Sequence, residues 1–113
     1  MIRPHDPDEY FEAVKRRYAD YQEEAQRRED AGDGEYWPVI RYYTAAGETI
    51  RVTYVMRNAG SDVLELVGAD ASSNPCDVIT STGSAQLVIK LLAAPSKFER
   101  KPIGFKTRIP NNA

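Results

Sequence analysis

Thr49-Ile50-Arg51-Val52-Thr53-Tyr54-Val55-Met56-Arg57 is the stretch that decides the fold. Ile50, Val52, Tyr54 and Met56 alternate with Thr49, Arg51, Thr53, Val55 and Arg57. That period of two belongs to a half-buried β-strand. Upstream, Ala45-Ala46-Gly47 reads as a turn back to Val39, Ile40, Tyr42 and Tyr43. This second β-rich run opens with Pro38, which its missing N–H confines to a strand start or an edge. Downstream, Asn58-Ala59-Gly60-Ser61 supplies a hairpin loop to Val63, Leu64, Leu66 and Val67, apolar on both faces except for Glu65. Three consecutive strands on short turns make an antiparallel meander.

Toward the N-terminus the period changes to that of a helix. Asp6 is placed to cap, Pro7 takes the first helical position, and Glu9 completes a capping-box-like start. Phe11, Val14, Tyr18, Tyr21 and Ala25 recur at spacings of three and four, and so share one face of a helix over about 7–28. Gly32 and Gly34 lie just past its end, where glycine is favoured. Toward the C-terminus, 70–75 is a loop by composition and 76–80 a short fourth strand. Residues 85–92 fit two patterns. Leu87, Ile89 and Leu91 alternate, whereas Leu87, Val88, Leu91 and Leu92 share a helical face, with Ser84 as a cap and Ala93-Ala94-Pro95 as a stop. The helix is the preferred reading. Residues 96–102 form a basic connector, 103–109 a last strand, and 110–113 a loose tail.

The expectation is one α+β domain over 1–113, with the sheet region spanning 36–109. A long N-terminal helix packs on an antiparallel sheet of four to five strands, and a short second helix precedes the last one. The alternative is an SH3-like or Sm-like partly open barrel with an added N-terminal helix, which gains if 85–92 is a strand.

Composition narrows the class. The chain has 113 residues, 42% hydrophobic and 28% charged, as globular domains do. A single cysteine, Cys76, excludes an intrachain disulfide. No apolar run approaches the roughly 20 residues that span a bilayer, and no signal-peptide pattern opens the chain, so the expected location is cytoplasmic. The net charge of -2 is unevenly spread, acidic in 1–35 and basic in 96–113.

No phosphate loop, paired-cysteine motif or serine elbow is present, and no cofactor is implied. His5, beside Asp6 and Asp8, lacks the further ligands a metal requires. Cys76 is flanked by Asp77, which raises a thiol pKa rather than activating it. Asp62, Glu65, Asp70 and Asp77 read as solvated turns and strand ends. The chain is therefore expected to be no enzyme.

Two binding surfaces are expected instead. Tyr36, Trp37, Tyr42 and Tyr43 carry the residue types that dominate protein interfaces, and form the candidate partner-binding cluster. Lys97, Arg100, Lys101, Phe105, Lys106 and Arg108 interleave bases with an aromatic ring, the composition of a single-stranded nucleic-acid groove. A sequence pI of 5.4 weighs against that second use. The first reading is a non-enzymatic protein-binding module: a small adaptor, inhibitor, immunity-type or chaperone-like accessory protein. A small-molecule pocket between helix and sheet, lined by Tyr18, Tyr21 and Tyr54, is a competing one. One long helix leaves the second face of such a sheet uncovered. Val39, Tyr43, Val55 and some of Val63 and Val67 are expected there, and closing two such faces predicts a homodimer. The alternative is that the second helix at 85–92 covers part of the face and keeps a monomer.

Overall fold

A computed structural model describes residues 6–93 and 100–109. The elements are α1 (Pro7–Asp30), β1 (Tyr36–Tyr43), β2 (Thr49–Asn58), β3 (Val63–Ala69), β4 (Pro75–Ser81), β5 (Leu87–Ala93) and β6 (Gly104–Arg108). The fold is α+β, with α1 laid over β1 and β5. No described helix is long and apolar enough to cross a membrane.

The helix begins as its sequence dictates. The Asp6 carboxylate accepts from the Asp8 N–H at 2.9 Å, and Pro7 follows the cap. It ends in a Schellman closure, with Gly32 N–H donating to the Glu29 carbonyl at 3.0 Å and Asp33 N–H to that of Arg28 at 2.9 Å. Gly32 holds φ at 78°, a left-handed conformation that glycine adopts without a Cβ clash. Phe11, Tyr18 and Ala25, seven residues apart, are the buried stripe, with Val14 and Tyr21 half-buried beside it.

The strand order is β4-β3-β2-β1-β5, antiparallel along this path, and β6 pairs with β2 in parallel. One edge of β2 is thus shared. β1 occupies it from Thr49 to Val52, and β6 takes it over from Tyr54 to Asn58. This explains Pro38. Pairing of β1 with β2 starts only at Ile40, so Pro38 stands where no ladder bond toward β2 is required of it.

The second helix is absent, because residues 87–93 form β5. Leu87, Ile89 and Leu91 pair with Tyr42, Ile40 and Pro38 of β1. A short helix would have left that edge of β1 unpaired, and the β-branched Val88-Ile89 pair suits a strand. Ser84 closes a turn instead, its N–H donating to the Ser81 carbonyl at 3.1 Å. The strand at 87–93 was the condition favouring a barrel, yet the sheet is open. β4 and β5 end the path on opposite sides, unpaired with each other among the described residues.

The core lies between α1 and the inner face of the sheet. Phe11, Tyr18, Ile40, Val52, Val55, Leu64, Leu66, Ala85 and Ile103 form one buried cluster, and Phe105 packs against it. The Phe105 ring stands edge-on to Phe11 at 5.9 Å and tilted against Tyr18 at 5.7 Å. Each such side chain, fully buried, contributes about 1.5–3 kcal/mol.

A register shift between Val52 and Tyr54 divides β2. Up to Val52 the even-numbered residues face the core. Beyond it Val55 and Arg57 do so, and Tyr54 turns outward at 51% exposure. The expectation that Val55 lies on the second face is thereby overturned: Val55 is fully buried in the core. Val39, also placed on that face, is itself buried. Opposite the shift, a Cβ on Gly68 would overlap the carbonyl oxygen of Arg51, so the two backbones touch where the strand kinks.

Candidate functional site

The four aromatics at β1 do not form one patch. Alternation sends Tyr36 and Tyr42 to one face, and Trp37 and Tyr43 to the other, at opposite ends of an eight-residue strand. Tyr42 packs against the core cluster. Tyr43 is exposed on the outer face, with the Lys90 ammonium 5.8 Å from its ring centre. Tyr36 lies beneath the Arg28 guanidinium, 4.8 Å from its ring centre. Trp37 is half-buried, and its indole N–H is enclosed without an acceptor among the described residues.

The basic segment is also divided. Phe105 is a core residue and takes no part in a surface groove. Arg100 faces Glu35 at 3.8 Å, and Lys101 is exposed. Lys97 lies outside the described residues, as does His5. Lys106 and Arg108 project on the outer face, where Arg108 reaches Glu65 at 3.2 Å and Met56 Sδ at 3.8 Å.

Counted strand by strand, the outer face carries Arg41, Arg51, Lys90, Lys106 and Arg108 against Glu65 and Asp77. Around them are Tyr43, Tyr54, Met56 and Ile79, the last 72% exposed. Helix α1, in the other layer, carries eight acids against five bases. Only Lys106 and Arg108 of the basic segment stand on this face, so the contrast between layers is drawn mainly from Arg41, Arg51 and Lys90. Several of these groups have structural duties. The Arg51 guanidinium donates to the Asp70 carbonyl at 3.2 Å and to Ser73 Oγ at 2.8 Å, pinning the β3–β4 turn. The Asp70 carboxylate accepts from the Asn74 and Ser72 N–H groups at 2.9 Å, and these bonds hold its pKa below the usual carboxylate range.

A groove runs along the other side of the molecule, between the C-terminal half of α1 and β5. It encloses about 610 Å³, walled by Asp20, Tyr21, Glu24, Arg27 and Arg28 from the helix and by Ile89, Lys90, Leu91 and Leu92 from the strand. Four consecutive strand residues can line one groove only if the strand offers its edge, since neighbours point to opposite faces. β5 pairs with β1 alone among the described residues. A second hollow of about 520 Å³ shares Glu24, Arg27 and Arg28 and extends the groove past Asp33 to Tyr36.

The pocket expected from Tyr18, Tyr21 and Tyr54 does not form. Tyr18 is buried, and its hydroxyl accepts from the Ile103 N–H at 3.1 Å. Tyr54 lies on the opposite face of the sheet, and only Tyr21 reaches the groove. Among the described residues no three His, Cys, Asp or Glu side chains come together as a metal site. Burial, followed by the charges of Asp70, Asp77 and Glu48, pushes the Cys76 thiol up, away from the thiolate a nucleophile needs.

Sequence reasoning missed the groove because it placed a helix where β5 supplies the edge. It missed Tyr54 as a surface residue because nothing in the local alternation marks the register shift. Comparisons with known protein families, with characterised proteins and with solved structures give no match for this chain.

Proposed function

We propose that the chain is a non-enzymatic protein-binding module, an adaptor or accessory protein of the cytoplasm, and that it takes an extended peptide in the groove between α1 and β5. The observation that carries this reading is the edge of β5 that pairs with no strand among the described residues and faces a helix across an open groove. An extended segment added there hydrogen-bonds to the strand's backbone, while alternate side chains drop toward Tyr21, Ile89 and Leu91. From Asp20 to the helix end at Asp30 the wall runs about 15 Å at 1.5 Å per residue, the length of about five extended residues. Arg27 and Arg28 stand on the rim, both paired with Glu24, at 2.6 and 3.1 Å. A peptide carboxylate competes with Glu24 for them, which favours ligands alternating apolar and acidic residues.

Display selection from random peptides of about ten residues, followed by amide-resolved titration, tests the reading. Selected peptides should shift the amides of Ile89 to Leu92 and of Tyr21 to Arg28, and Tyr21→Ala should weaken them about tenfold. Perturbations confined to other surfaces would reject the groove.

A homodimer is the second reading, favoured by the 72% exposure of Ile79 on β4, the strand at the other end of the sheet. Joining two such edges continues the sheet across a twofold axis.

A further inference from the structure

We infer that the outer face of the sheet, centred on Tyr54, binds single-stranded nucleic acid. The inference does not rest on the peptide groove, in whose walls Tyr54, Lys106 and Arg108 take no part.

Charge is the first argument. The face carries five bases against two acids, and one of those acids, Glu65, already holds Arg108. Arg41 and Arg51 stand directly opposite each other in the β1–β2 register. Arg51 is held by the Asp70 carbonyl and Ser73 Oγ, so it adds to the positive field of the face and does not stand as an open contact. The acidic helix in the other layer repels the same polyanion and so directs it to the sheet.

The Tyr54 ring is the second. Tyr54 and Gly104 are cross-strand partners, and a Cβ on Gly104 would overlap the ring at Cδ1 and Cε1. The ring therefore rests on the backbone of β6, in space that only glycine leaves free. One side is seated and the residue is still 51% exposed, which leaves the other side of the ring open to a stacking partner. Tyr43 differs, because Lys90 approaches its ring.

Spacing is the third. Lys106 and Arg108 follow Gly104 at alternate positions on the same face, about 6.6 Å apart along the strand. A nucleobase on Tyr54 places the adjoining phosphates over these two side chains, where a phosphate competes with Glu65 for Arg108. An acidic polypeptide would use the same charges but would gain little from the bare ring.

The test is fluorescence anisotropy with a labelled oligothymidylate of about 12 nucleotides, with polyglutamate as competitor. Two phosphate contacts give a log–log salt slope of about -1.4, so binding at about 50 mM salt should weaken roughly sevenfold at about 200 mM. Tyr54→Ala should weaken binding about tenfold and Tyr54→Phe less than about twofold. Lys106→Gln, at an exposed position that leaves the fold intact, should flatten the slope by about 0.7. Absence of binding at low salt overturns the proposal. So does equal binding by the wild type and Tyr54→Ala, or displacement by polyglutamate at equal charge, either of which would make the face a general anion or acidic-protein surface.

Discussion

Asp8, in the first turn of α1, closes an ion pair on Arg57, which stands on the core side of β2. The Arg57 side chain is 10% exposed and its guanidinium lies 5.7 Å from the centre of the Phe11 ring, whereas Asp8 is 68% exposed. The pair exists because the register shift turns Arg57 inward, beneath the start of the helix. Asp8→Ala leaves that cation without its counter-charge and should cost about 1–3 kcal/mol in urea unfolding. Arg57→Met keeps the packing, removes the buried charge, and should change stability by less than about 1 kcal/mol. In the Arg57→Met background Asp8→Ala should cost only the helix-dipole contribution, about 0.3–1 kcal/mol. A double-mutant cycle checks this, and additive single effects would show an idle pair.

Tyr10 and Tyr18 make alkaline pH the weak side of the fold. Tyr10 donates to the Ala85 carbonyl at 3.0 Å, and Tyr18 accepts from Ile103. Burial raises both hydroxyls above their ordinary value of 10.0, partly offset by backbone hydrogen bonds. A group with a raised folded pKa binds its proton more tightly when folded. Its contribution is complete below pH 10 and declines as pH rises from there through the folded pKa, by at most about 1.4 kcal/mol per pH unit for each tyrosine. Urea midpoints measured across that window should fall, and the decline should be shallower in Tyr10→Phe. Tyr18→Phe should also cost about 1–3 kcal/mol at neutral pH, because the enclosed Ile103 N–H loses its acceptor.

Asp70 sets the acid side. Its folded pKa is lowered, so the order it gives the β3–β4 turn is present above the ordinary carboxylate range and is lost as pH falls through the folded value. Amide exchange of Ser72 and Asn74 should accelerate on acidification, and Asp70→Asn should remove the dependence.

Two glycines separate backbone contact from side-chain contact. A Cβ on Gly68 meets the main chain of Arg51 and Val52, which cannot retreat without breaking β2–β3 pairing. A Cβ on Gly104 meets the Tyr54 ring, which is half exposed and can turn away. Gly68→Ala should therefore cost about 2–3 kcal/mol, and Gly104→Ala less than about 1.5 kcal/mol. Thermal unfolding of the two variants decides the order.

What the sequence revealed, and what it hid, follows from the range of the signals. The 7–28 stripe, the cap at Asp6 and the turns at 45–47 and 58–61 are local chemistry, and each was legible from neighbouring residues. The register shift was not. Thr53 and Tyr54 have ordinary strand propensity, and the slip falls where Gly68 touches β2 and β6 begins to pair with it, both from far along the chain. One hidden slip reversed the facing of Tyr54, Val55, Met56 and Arg57. Residues 85–92 carried both periods, and what selected the strand was the long-range offer of a free edge on β1. Both candidate surfaces depend on these two non-local events.

Self-association provides the last test, because it depends on what the open sheet leaves at its β4 end. Face-to-face packing of two outer faces would bring five bases against five, an unfavourable contact at low salt. Edge pairing avoids this. In an antiparallel β4–β4 pairing centred on Val78, each Asp77 lies opposite Ile79 of the other copy, so the only charges on the strand do not meet. Ile79, 72% exposed, would then gain a neighbour. Light scattering across micromolar concentrations should give a mass rising from 12.7 kDa toward twice that value. Added salt should have little effect on an edge dimer and should promote a face dimer. Ile79→Lys should return the protein to one chain, since a lysine on an edge strand opposes pairing. A mass of one chain throughout would leave β4 a plain edge, protected by Pro75 and Asp77.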